Sequence, residues 1–550
     1  MTTQLAVAAD RDAALAMLTG PGGEFEIVTS EVLGQPMSVF AHRLHNVPEL
    51  LDASEAHGDA IYLVDGDRRI SFTEHLVTVR AFATVLQERH GVRQGDRVAL
   101  LGLNCSEWVI SFWAIELLGA VAVGLNSWWA EPEIRYGLAD CDPALLIADA
   151  RLRDRLGPPP VPTLAMEDVH DLAAAAAGRV PVPRPEIDED DPAIVLYTSG
   201  TTGRPKGAVH SHRNMLCAND FHLLNDAVAA TLGNPASGRR FLLATPLFHI
   251  APLHNLILPR IAVGDTAVIY RGRFDIDTVL RLIETEGITN WGAVPTMAAR
   301  IVQLGDLSGY DVSTLRTMSL GSAPAAPGLR SRLIAALPQV RRSLGVTYGS
   351  TETTTAVTLG SAAEIDAMPL TSGRVVPTMQ LQVRDAQGAV VPDGVDGDIW
   401  VRGPQVMLGY WRDEAATAAA FDDDRWFRTG DLGQLEGGHL FVASRRSDLI
   451  LRSGENIYPA EVEAALGEHD AVLECLVYGV DDADLGQSVA AVVVVGGRYA
   501  DVSPDEVRDD LVAFLSGRLA RIKLPEQWRI TTEPLPRNAT GKVNRREAVG

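Results

Sequence analysis

The sequence predicts an α/β protein with a large N-terminal domain and a small C-terminal α/β domain. Three observations lead to this prediction. The chain has 550 residues, of which 46% are hydrophobic, so it can bury more than one core. Apolar runs of strand length alternate with helical patterns over most of the first 320 residues. Beyond Gly360, strand-like segments and Gly/Asp turns replace that alternation, and a charged break at 445–447 precedes the last hundred residues.

The first alternating region extends from residue 59 to 147 and predicts βαβ units on a mostly parallel sheet. Its strands are expected at 60–63, 97–102, 121–125 and 144–147, and its helices at 72–88 and 105–118. A stretch rich in proline and alanine, 157–185, is interpreted as a surface connection that leads to the next strand at 193–197.

The alternation then resumes. Strands are expected at 241–244, 266–269, 290–293 and 316–320, with helices at 277–284 and 295–304. Strands at 380–384, 397–402 and 440–442, with turn residues between them, predict an antiparallel or barrel-like subdomain. The last hundred residues resemble an independent α/β unit with helices at 459–466 and 504–519 and strands at 471–480 and 488–495. We therefore expect an N-terminal domain, 1–445, and a C-terminal domain, 446–550, with a hinge near Ser447.

Charge and cysteine content narrow the function classes. Lys and Arg total 48 against 71 Asp and Glu, and a net charge of −23 repels nucleic acid and anionic membrane surfaces. The four cysteines, Cys105, Cys141, Cys217 and Cys475, form no CxxC pair, which favours a reducing cytoplasm over a disulfide framework or a zinc site. The most apolar stretch, 241–263, is broken by three prolines and two histidines, so we expect a soluble cytoplasmic protein.

Lysine is rare in this chain. Only Lys206, Lys523 and Lys542 are lysines, whereas the other 45 basic residues are arginine. Such a bias suggests that lysine is kept where a compact, flexible ammonium cannot be replaced by a planar guanidinium. Each lysine is therefore a candidate catalytic or ligand-binding residue, and the sequence around it decides which role is favoured.

The first lysine ends a loop rich in glycine and hydroxyl groups, which follows an apolar strand. The loop contains Thr198, Ser199, Gly200, Thr201, Thr202, Gly203 and Lys206. Glycines let backbone N–H groups turn inward, hydroxyls add donors and Lys206 adds a point charge, which together suit polyphosphate oxygens. Because Gly207 follows Lys206, the pattern differs from the P-loop and indicates another class of nucleotide site.

Four further stretches carry candidate chemistry. In the segment 348–353, Tyr348 can stack on a base, Thr351 can hold a phosphate and Glu352 is a hard oxygen ligand for Mg²⁺. Asp431 lies in Phe-Arg-Thr-Gly-Asp and can accept from both ribose hydroxyls. The segment 444–463 joins charged residues at the domain break to a helix that starts with proline. Lys542 lies in the loop 536–542 near the C-terminus.

In this order and spacing the five stretches resemble the core motifs of the adenylate-forming superfamily, specifically its acyl-CoA synthetases. The resemblance extends from residue 71 to 545. It implies an α/β fold with a large N-terminal domain of αβ-layered subdomains plus a β-barrel, and a small mobile C-terminal α/β domain. It also implies a reaction in two steps, in which a carboxylate attacks the α-phosphorus of ATP and the thiol of coenzyme A then displaces AMP.

The resemblance assigns roles to individual residues. Lys542 would bridge the substrate carboxylate and the α-phosphate, and Thr351 with Glu352 would place Mg²⁺, so that Glu352 is the metal ligand. The expected nucleotide-binding residues are Thr198, Ser199, Gly200, Thr201, Thr202, Gly203, Lys206, Gly321, Ser322, Ala323, Tyr348, Gly349, Thr351, Asp431, Arg445 and Lys542. Lys523, which precedes a proline in the small domain, is given a structural role.

The same resemblance places the path of coenzyme A at the domain break. The small domain would rotate about Ser447 and bring Ser453, Gly454 and Glu455 towards a pantetheine tunnel. The hinge residue is usually Asp or Lys in this family, and Ser453 replaces the first of two glycines. These departures put the second half-reaction in question rather than the first.

The acyl pocket implied by the family is lined by His249, Gly292, Val294, Ser319, Gly321, Gly345 and Thr347. His249 is interpreted either as a catalytic gate over the acyl entrance or as a packing residue. An amino acid is disfavoured, because the family's adenylation domains for amino acids place an Asp where His249 lies. The small, apolar lining suits a hydrophobic monocarboxylate, and a fatty acid is the main expectation.

Four alternatives stay open. The acid could be aromatic or alicyclic, or the acyl group could pass to a separate carrier protein instead of coenzyme A. An oxygen-dependent light emitter of the same fold is not tested by the sequence. A non-catalytic nucleotide sensor is disfavoured by the presence of Glu352 and Lys542. A homodimer is also left open.

Overall fold

A computed structural model of the protein describes residues 2–180, 182–198, 204–321, 327–452, 455–482, 485–499, 501–537 and 543–549. The first part of the chain contains, in order, α1 (Thr2–Thr19), β1 (Ile27–Val32), β2 (Gln35–Phe40), α2 (Val47–Ala53), β3 (Ile61–Asp65), β4 (Arg68–Ser71), α3 (Phe72–His90), β5 (Arg97–Leu101), α4 (Ser106–Leu117), β6 (Val121–Gly124), α5 (Glu131–Cys141), β7 (Leu145–Ala148), α6 (Ala150–Leu156), β8 (Thr163–Ala165), α7 (Val169–Ala176) and β9 (Pro192–Thr198).

The middle part contains β10 (Lys206–Ser211), α8 (His212–Thr231), β11 (Arg240–Leu243), α9 (Ile250–Pro252), a π-helical turn (Leu253–Ile257), α10 (Leu258–Val263), β12 (Thr266–Ile269), α11 (Ile276–Glu286), β13 (Asn290–Ala293), α12 (Pro295–Leu304), β14 (Thr317–Leu320), α13 (Pro327–Ala336), β15 (Val346–Tyr348), β16 (Thr358–Gly360), α14 (Ala362–Ala367), β17 (Arg374–Val375), β18 (Gln380–Arg384), β19 (Gly397–Arg402), β20 (Gly409–Tyr410), α15 (Glu414–Ala420), β21 (Phe427–Glu436) and β22 (His439–Arg445). The last part contains β23 (Ile450–Arg452), β24 (Glu455–Ile457), α16 (Pro459–Gly467), β25 (Val472–Asp482), β26 (Gly486–Val495), α17 (Pro504–Ser516), β27 (Gln527–Thr531) and α18 (Arg545–Val549).

Two large sheets carry the N-terminal part. One has seven strands in the order β20-β10-β9-β6-β5-β7-β8, and its strands from β9 to β8 are parallel. The other has thirteen strands in the order β18-β19-β21-β22-β17-β16-β15-β14-β13-β11-β12-β3-β4. Its strands from β15 to β3 are parallel, and the antiparallel strands expected beyond Gly360 continue the same sheet.

Helices α3 and α4 lie between the two sheets. Nearly every residue of α4 is buried, including Trp108, Phe112 and Trp113, as expected of a helix enclosed on all sides. One apolar core combines these side chains with Leu100 of the seven-stranded sheet and Leu63 of the thirteen-stranded sheet. The start of α3 is fixed by a capping box, which satisfies N–H groups that the helix itself leaves unbonded.

The site loops follow from this arrangement. The segments after β9, β11, β13 and β14 all leave the carboxyl ends of parallel strands, where open α/β sheets bind their ligands. The sheets thus position His249, Val294, Gly321 and the two ends, Thr198 and Lys206, of the glycine- and hydroxyl-rich loop, which we call the phosphate loop.

The connection 157–185 differs from the expectation, because it contains β8 and α7. Val169, Ala173 and Ala176 are buried with helical spacing, and α7 packs against α3. Alanine gives a weak apolar signal, and the prolines on either side concealed this helix from a sequence pattern.

The C-terminal part forms a small sheet with its own core. Strands β24, β23, β26 and β25 are neighbours in that order, and β27 pairs with β26. The core combines α16 and α17 with apolar residues such as Val493 and Leu511. Contacts to the large part include a hydrogen bond from Arg332 Nη1 to the Val472 carbonyl (3.1 Å) and one from the Tyr458 hydroxyl to Asp396 (2.9 Å). The domain boundary between residues 445 and 446 stays a prediction.

Membrane-spanning helices are absent from the part of the chain that the structure describes, since none of its helices is both long and apolar enough.

Candidate active site

The phosphate loop is held between two paired strands. Thr198 ends β9 and Lys206 begins β10, and the two residues are paired in the antiparallel register. The Thr198 hydroxyl donates to the Lys206 carbonyl at 3.4 Å. The strand pair therefore fixes both ends of the loop and leaves the Lys206 side chain at its exit.

The predicted magnesium carboxylate lies near that lysine. Glu352 Oε1 accepts a hydrogen bond from the Tyr410 hydroxyl at 3.1 Å, and the ammonium of Lys206 lies 5.1 Å from the centre of the Tyr410 ring. Burial and the neighbouring carboxylate raise the pKa of Tyr410, so the phenol stays protonated and donates. One tyrosine thus joins the phosphate loop to Glu352.

The turn that carries Thr351 and Glu352 is tightly held. Thr354 has φ 64°, and its hydroxyl contacts both the Gln405 carbonyl and the His210 ring. A Cβ at Gly349 would lie 1.7 Å from the Thr355 carbonyl oxygen, so only glycine fits there. Non-glycine residues reach positive φ at a cost, which the surrounding contacts must offset.

A second cluster brings together three residues that the sequence assigned to the nucleoside. The Tyr348 hydroxyl donates to Asp431 Oδ2 at 2.7 Å, and Arg445 Nε lies 3.4 Å from Asp431 Oδ1. Asp431 and Arg445 are paired across β21 and β22. Burial, together with Asp431, raises the pKa of Tyr348 well above its usual value. The carboxylate is thus oriented from both sides, as a group that receives two ribose hydroxyls would need to be.

Four of the predicted acyl-pocket residues share one face of the thirteen-stranded sheet. Gly292 pairs with Ser319, and Gly321 lies beside Thr347 on the neighbouring strand end. Among the described residues, a Cβ at Gly292 would meet only Ser319 Oγ at 3.6 Å, and one at Gly321 only Thr347 Oγ1 at 3.5 Å. We call these four residues the glycine slot.

Two other predicted acyl-pocket residues differ in character. A Cβ at Gly345 would lie 2.6 Å from the Gly360 carbonyl oxygen, so close packing of β15 against β16 requires this glycine. Val294 is half-buried at the N-cap position of α12, where its apolar side chain makes no capping hydrogen bond. Gly345 therefore has a structural reason for being glycine, whereas Gly292 and Gly321 of the slot do not.

His249 lies at the start of α9, within a row of aromatic rings. Its ring centre is 4.5 Å from that of Phe248, and Phe248 is 5.4 Å from Trp128. Trp128 is 40% exposed. The row leads from the surface towards the helix after His249, which is consistent with either interpretation of this histidine.

At the predicted hinge, the neighbours of Ser447 are bound to different parts of the protein. Arg446 makes two hydrogen bonds of 2.8 Å to the buried carboxylate of Asp398, in the large part. Asp448 pairs with Arg545, in the small part, at 3.2 Å. The hydroxyl of Ser447 donates to the adjacent Asp448 at 3.0 Å, and Glu455 is exposed at the start of β24.

Several predicted site residues lie outside the described residues. They are Ser199, Gly200, Thr201, Thr202, Gly203, Ser322, Ala323, Ser453, Gly454 and Lys542. Lys523 is described, and its ammonium contacts both carboxylate oxygens of Glu461 at 2.6 and 2.7 Å. Such an ion pair suits the structural role given to Lys523.

The donor set fits Mg²⁺ that arrives with a nucleotide. Within the described ranges no three His, Cys, Asp or Glu side chains gather as a metal cage. Glu352 offers a single, partly exposed carboxylate beside the phosphate loop. Mg²⁺ is commonly held by one or two carboxylates together with phosphates and water, which is what this arrangement provides.

Three residues near the site were missed by sequence reasoning. Tyr410 lies in a short strand that pairs with β10, a contact over two hundred residues along the chain. His210 and His254 stand within apolar segments, where a histidine reads as an ordinary core residue. Only the aromatic pair Tyr410-Trp411 after a glycine offered a signal.

Comparison with known proteins agrees with this geometry. The AMP-binding enzyme family matches residues 50–411, and the AMP-binding enzyme C-terminal domain matches residues 461–542. Indoleacetate–CoA ligase of Aromatoleum aromaticum is 34% identical over 501 residues, covering 87% of this chain and 92% of that protein. Feruloyl-CoA synthase of Amycolatopsis sp. is 37% identical over 472 residues, covering 82% and 88%.

Solved structures give the same result. The o-succinylbenzoate CoA synthetase of Bacillus subtilis in complex with its acyl-adenylate intermediate has a TM-score of 0.78 and 30% identity, covering 92% of this chain and 98% of that chain. Its complex with ATP and magnesium ion has a TM-score of 0.77, also at 30% identity, and covers 92% and 100%.

These relationships confirm the resemblance to the adenylate-forming superfamily and the predicted α/β fold with its small C-terminal domain. They also confirm an AMP-forming acid–thiol ligase that uses ATP, Mg²⁺ and coenzyme A. The fatty-acid expectation finds no support among these relatives, and the ring-bearing alternative fits them better. The chain belongs to the AMP-binding enzyme family.

Proposed function

We propose that this enzyme activates an aromatic or alicyclic carboxylic acid to its acyl-adenylate and transfers the acyl group to coenzyme A. The observation that carries the proposal is the glycine slot. The names of the relatives, which refer to indoleacetate, ferulate and succinylbenzoate, support a ring-bearing acid. A fatty acid, the main expectation from the sequence, has no comparable support.

The slot is open for a reason that can be read from the backbone. Neither Gly292 nor Gly321 has a positive φ, and an added Cβ at either would make only ordinary van der Waals contact. Glycine is therefore not required there by the fold. Its absent side chain leaves width along the sheet face, which suits a flat ring better than a thin flexible chain.

The remaining residues of the site take roles in the first half-reaction. The substrate carboxylate forms a bond to the α-phosphorus, and the bond from that phosphorus to pyrophosphate breaks. Lys206 and the loop before it hold the departing phosphates, and Asp431, with Tyr348 and Arg445, holds the ribose. Lys542 neutralises the two anions that meet. Mg²⁺, when bound at Glu352, supplies positive charge for the phosphate oxygens.

The second half-reaction transfers the acyl group to the thiol and releases AMP. We assign the path of coenzyme A to Ser453, Gly454 and Glu455, after rotation about Ser447. A carrier protein as acceptor, a homodimer and a cytoplasmic location stay predictions from the sequence.

The test measures pyrophosphate release with ATP and Mg²⁺ across panels of aromatic, alicyclic, straight-chain and amino acids, followed by mass detection of acyl-CoA. Release with ring-bearing acids, followed by acyl-CoA, is the expected result. Release confined to straight-chain acids would contradict the proposal. Adenylate without acyl-CoA would contradict transfer to coenzyme A and make a separate carrier protein the next acceptor to test.

A variant tests the slot itself. Gly292→Val should lower kcat/KM for a bicyclic acid by more than about 10-fold, because an overfilled pocket cannot accept the ring. A short straight-chain acid that this enzyme turns over should lose less. Gly309→Val is the matched control, because an added Cβ there meets no atom of the described residues within 4 Å. Equal losses for both acids in the Gly292 variant would argue against the slot.

A further inference from the structure

The loop that carries Lys542 begins and ends in a short stem of described residues. Lys542 and the four residues before it lie outside the described residues. On either side of them, Arg537 and Val543 form an antiparallel β-bridge, and the Asn544 N–H donates to the Pro536 carbonyl at 2.8 Å. Because Lys542 is bonded directly to Val543, the position of this stem fixes where the backbone of the lysine starts.

Glu474 in β25 holds one arm of the stem. Its Oε2 accepts a hydrogen bond from Arg537 Nη2 at 2.7 Å and another from the Leu535 N–H at 3.3 Å. The side chains of Glu474 and Arg537 are only 12% and 21% exposed, so water screens this ion pair weakly. Hydrogen bonds between ionised groups are also stronger than those between neutral groups. One carboxylate therefore fixes both the backbone and the arginine of the arm that leads into the loop.

A β-bulge orients Glu474 towards the stem. The pairing of β25 with β26 shifts its register between Val472 and Glu474. Residues two apart on a regular strand share a face. Here Val472 belongs to the core with α16 and α17, whereas Leu535, which Glu474 contacts, belongs to a separate apolar cluster of the small part. Bulges redirect side chains in this way and are frequent next to active sites.

The strand that carries Glu474 also binds the other arm and the large part. Arg545, beyond Val543, donates from Nη1 to the Val477 carbonyl of β25 at 2.9 Å. Arg332 of the large part donates to the Val472 carbonyl at the start of β25 at 3.1 Å. Both arms of the stem are therefore bound to a single strand, which is itself in contact with the large part.

We infer that Glu474 is a positioning residue for Lys542, and that it acts through Arg537 and the Leu535 N–H. The inference rests on the proposed function, because it concerns the lysine to which that function assigns the neutralisation of two anions. In this role Glu474 touches no substrate. A misplacement of about 1 Å can cost about 10²-fold in rate, so a weakened stem should slow adenylation although every group of the site is still present.

The two half-reactions separate positioning from simple stability. We assign Lys542 to adenylation and the segment 453–455 to the step with coenzyme A, so both half-reactions use the small part. If Glu474 positions Lys542, its loss slows adenylation alone. If its ion pair only stabilises the small part, its loss affects both half-reactions alike or neither of them.

The experiment measures the two half-reactions of Glu474→Ala separately. Single-turnover pyrophosphate release with ATP and Mg²⁺ measures adenylation of the acid that the wild-type enzyme turns over fastest in the panel. Acyl-CoA formation from coenzyme A and the chemically prepared adenylate of the same acid measures the second step. Adenylation should fall by at least about 10-fold, while acyl-CoA formation stays within about 2-fold of the wild type. Equal losses in both steps would overturn the inference.

Two single variants complete the comparison. Glu474→Gln keeps an acceptor for the Leu535 N–H but removes the charge that pairs with Arg537, so its adenylation rate should lie between those of the wild type and Glu474→Ala. It replaces Glu474→Ala if that variant does not fold. Glu461→Ala is the matched control, because it removes a glutamate of the small part whose partner is Lys523 instead of the stem. This control should change the ratio of the two rates by less than about 2-fold.

A double variant links the carboxylate to the lysine directly. In a Lys542→Ala background the group to be positioned is gone, so adding Glu474→Ala should lower adenylation by less than about 2-fold more. Losses that multiply as independent effects would contradict the inference. Normal adenylation in both single Glu474 variants would contradict it as well.

The outcomes keep this inference apart from the proposed function. If only straight-chain acids release pyrophosphate, the ring-acid proposal fails, and the Glu474 variants are compared with those acids. Near-normal adenylation in Lys542→Ala overturns the inference and leaves the substrate class standing. If no acid of the panel releases pyrophosphate, both proposals fail.

Discussion

The hydroxyl of Tyr410 donates to Glu352 Oε1 at 3.1 Å, and the ring of the same tyrosine faces the ammonium of Lys206 at 5.1 Å. Tyr410 reaches this position because β20 pairs with β10, with Ala208 opposite Tyr410. The carboxylate that we assign to Mg²⁺ and the cation that we assign to the phosphates are therefore set by one side chain.

Removing the Tyr410 hydroxyl should weaken adenylation. Tyr410→Phe keeps the ring under Lys206 but leaves Glu352 without its donor. A hydrogen bond to a charged group contributes about 1.5–3 kcal/mol, so we expect adenylate formation to fall by roughly 10- to 100-fold. Pyrophosphate release at saturating acid measures the effect. Tyr310→Phe is the matched control, because that hydroxyl donates to Asp277 on a remote surface at 2.5 Å. Equal activity of both variants would contradict the role of Tyr410.

Lysine substitutions should separate catalysis from stability. Lys542→Ala should depress adenylate formation by at least roughly 10²-fold while nucleotide binding survives, as when one group that stabilises transition-state charge is removed. Lys523→Ala breaks the ion pair with Glu461 and should lower the melting temperature with a smaller effect on adenylation. Single-turnover pyrophosphate release measures adenylation, calorimetry measures nucleotide binding, and thermal melts measure the stability of each variant. Near-normal adenylation in Lys542→Ala would remove the assignment.

The ribose carboxylate should act through nucleotide binding. Asp431→Asn keeps the size of the side chain but weakens its acceptance of ribose hydroxyls, whose hydrogen bonds to a carboxylate are charge-assisted. We expect the KM for ATP to rise about 10-fold, with a smaller change in kcat and no change in the KM for the acid. Steady-state kinetics with ATP varied give the answer. A fall in kcat at unchanged KM for ATP would place Asp431 elsewhere in the reaction.

Two aspartates of α8 should affect stability with opposite signs. Burial raises the pKa of Asp220 to about 7, so ionisation of this residue opposes folding. Protonated Asp220 therefore favours the folded state at pH 4. The free energy of unfolding falls by up to about 4 kcal/mol as the pH rises from 4 through 7. Asp220→Asn should therefore unfold at a higher temperature than the wild type at pH 8 and at a similar temperature at pH 4.

Asp226 provides the contrast on the same helix. Burial alone would raise the pKa of Asp226, but two hydrogen bonds from Arg239 outweigh burial and lower it. Its stabilisation is present above about pH 4 and is lost as the pH falls further. Asp226→Asn should destabilise the protein at pH 8, with the difference fading in acid. Thermal melts from pH 3 to 8 check both variants. If both substitutions shift the melting temperature in the same direction at pH 8, the two predictions cannot both hold.

The strands that the sequence located correctly are those with continuous apolar character. β5, β6 and β7 lie where patterns at 97–102, 121–125 and 144–147 predicted them, because parallel strands are buried on both faces. Helix α12 was also placed, since proline begins it at Pro295. Helix α7 was not, because its buried face consists mostly of alanines between prolines.

The candidate site divides in the same way. Glu352, Asp431 and Lys206 could be named because each stands in a local motif. Tyr410 could not, because only the pairing of distant strands brings it to Glu352. The position of Lys542 stays a prediction, since it lies outside the described residues.

The contacts on either side of Ser447 limit the rotation that we propose for the small domain. Arg446 is fastened to Asp398 by two hydrogen bonds, and Asp448 is fastened to Arg545, which itself binds Glu463 within the small part. If both contacts hold while those of Arg332 with Val472 and of Tyr458 with Asp396 break, the backbone torsions of Ser447 must carry the proposed rotation. A single-residue pivot has few allowed φ and ψ wells, so we expect the proposed rotation to end in discrete orientations instead of a continuum.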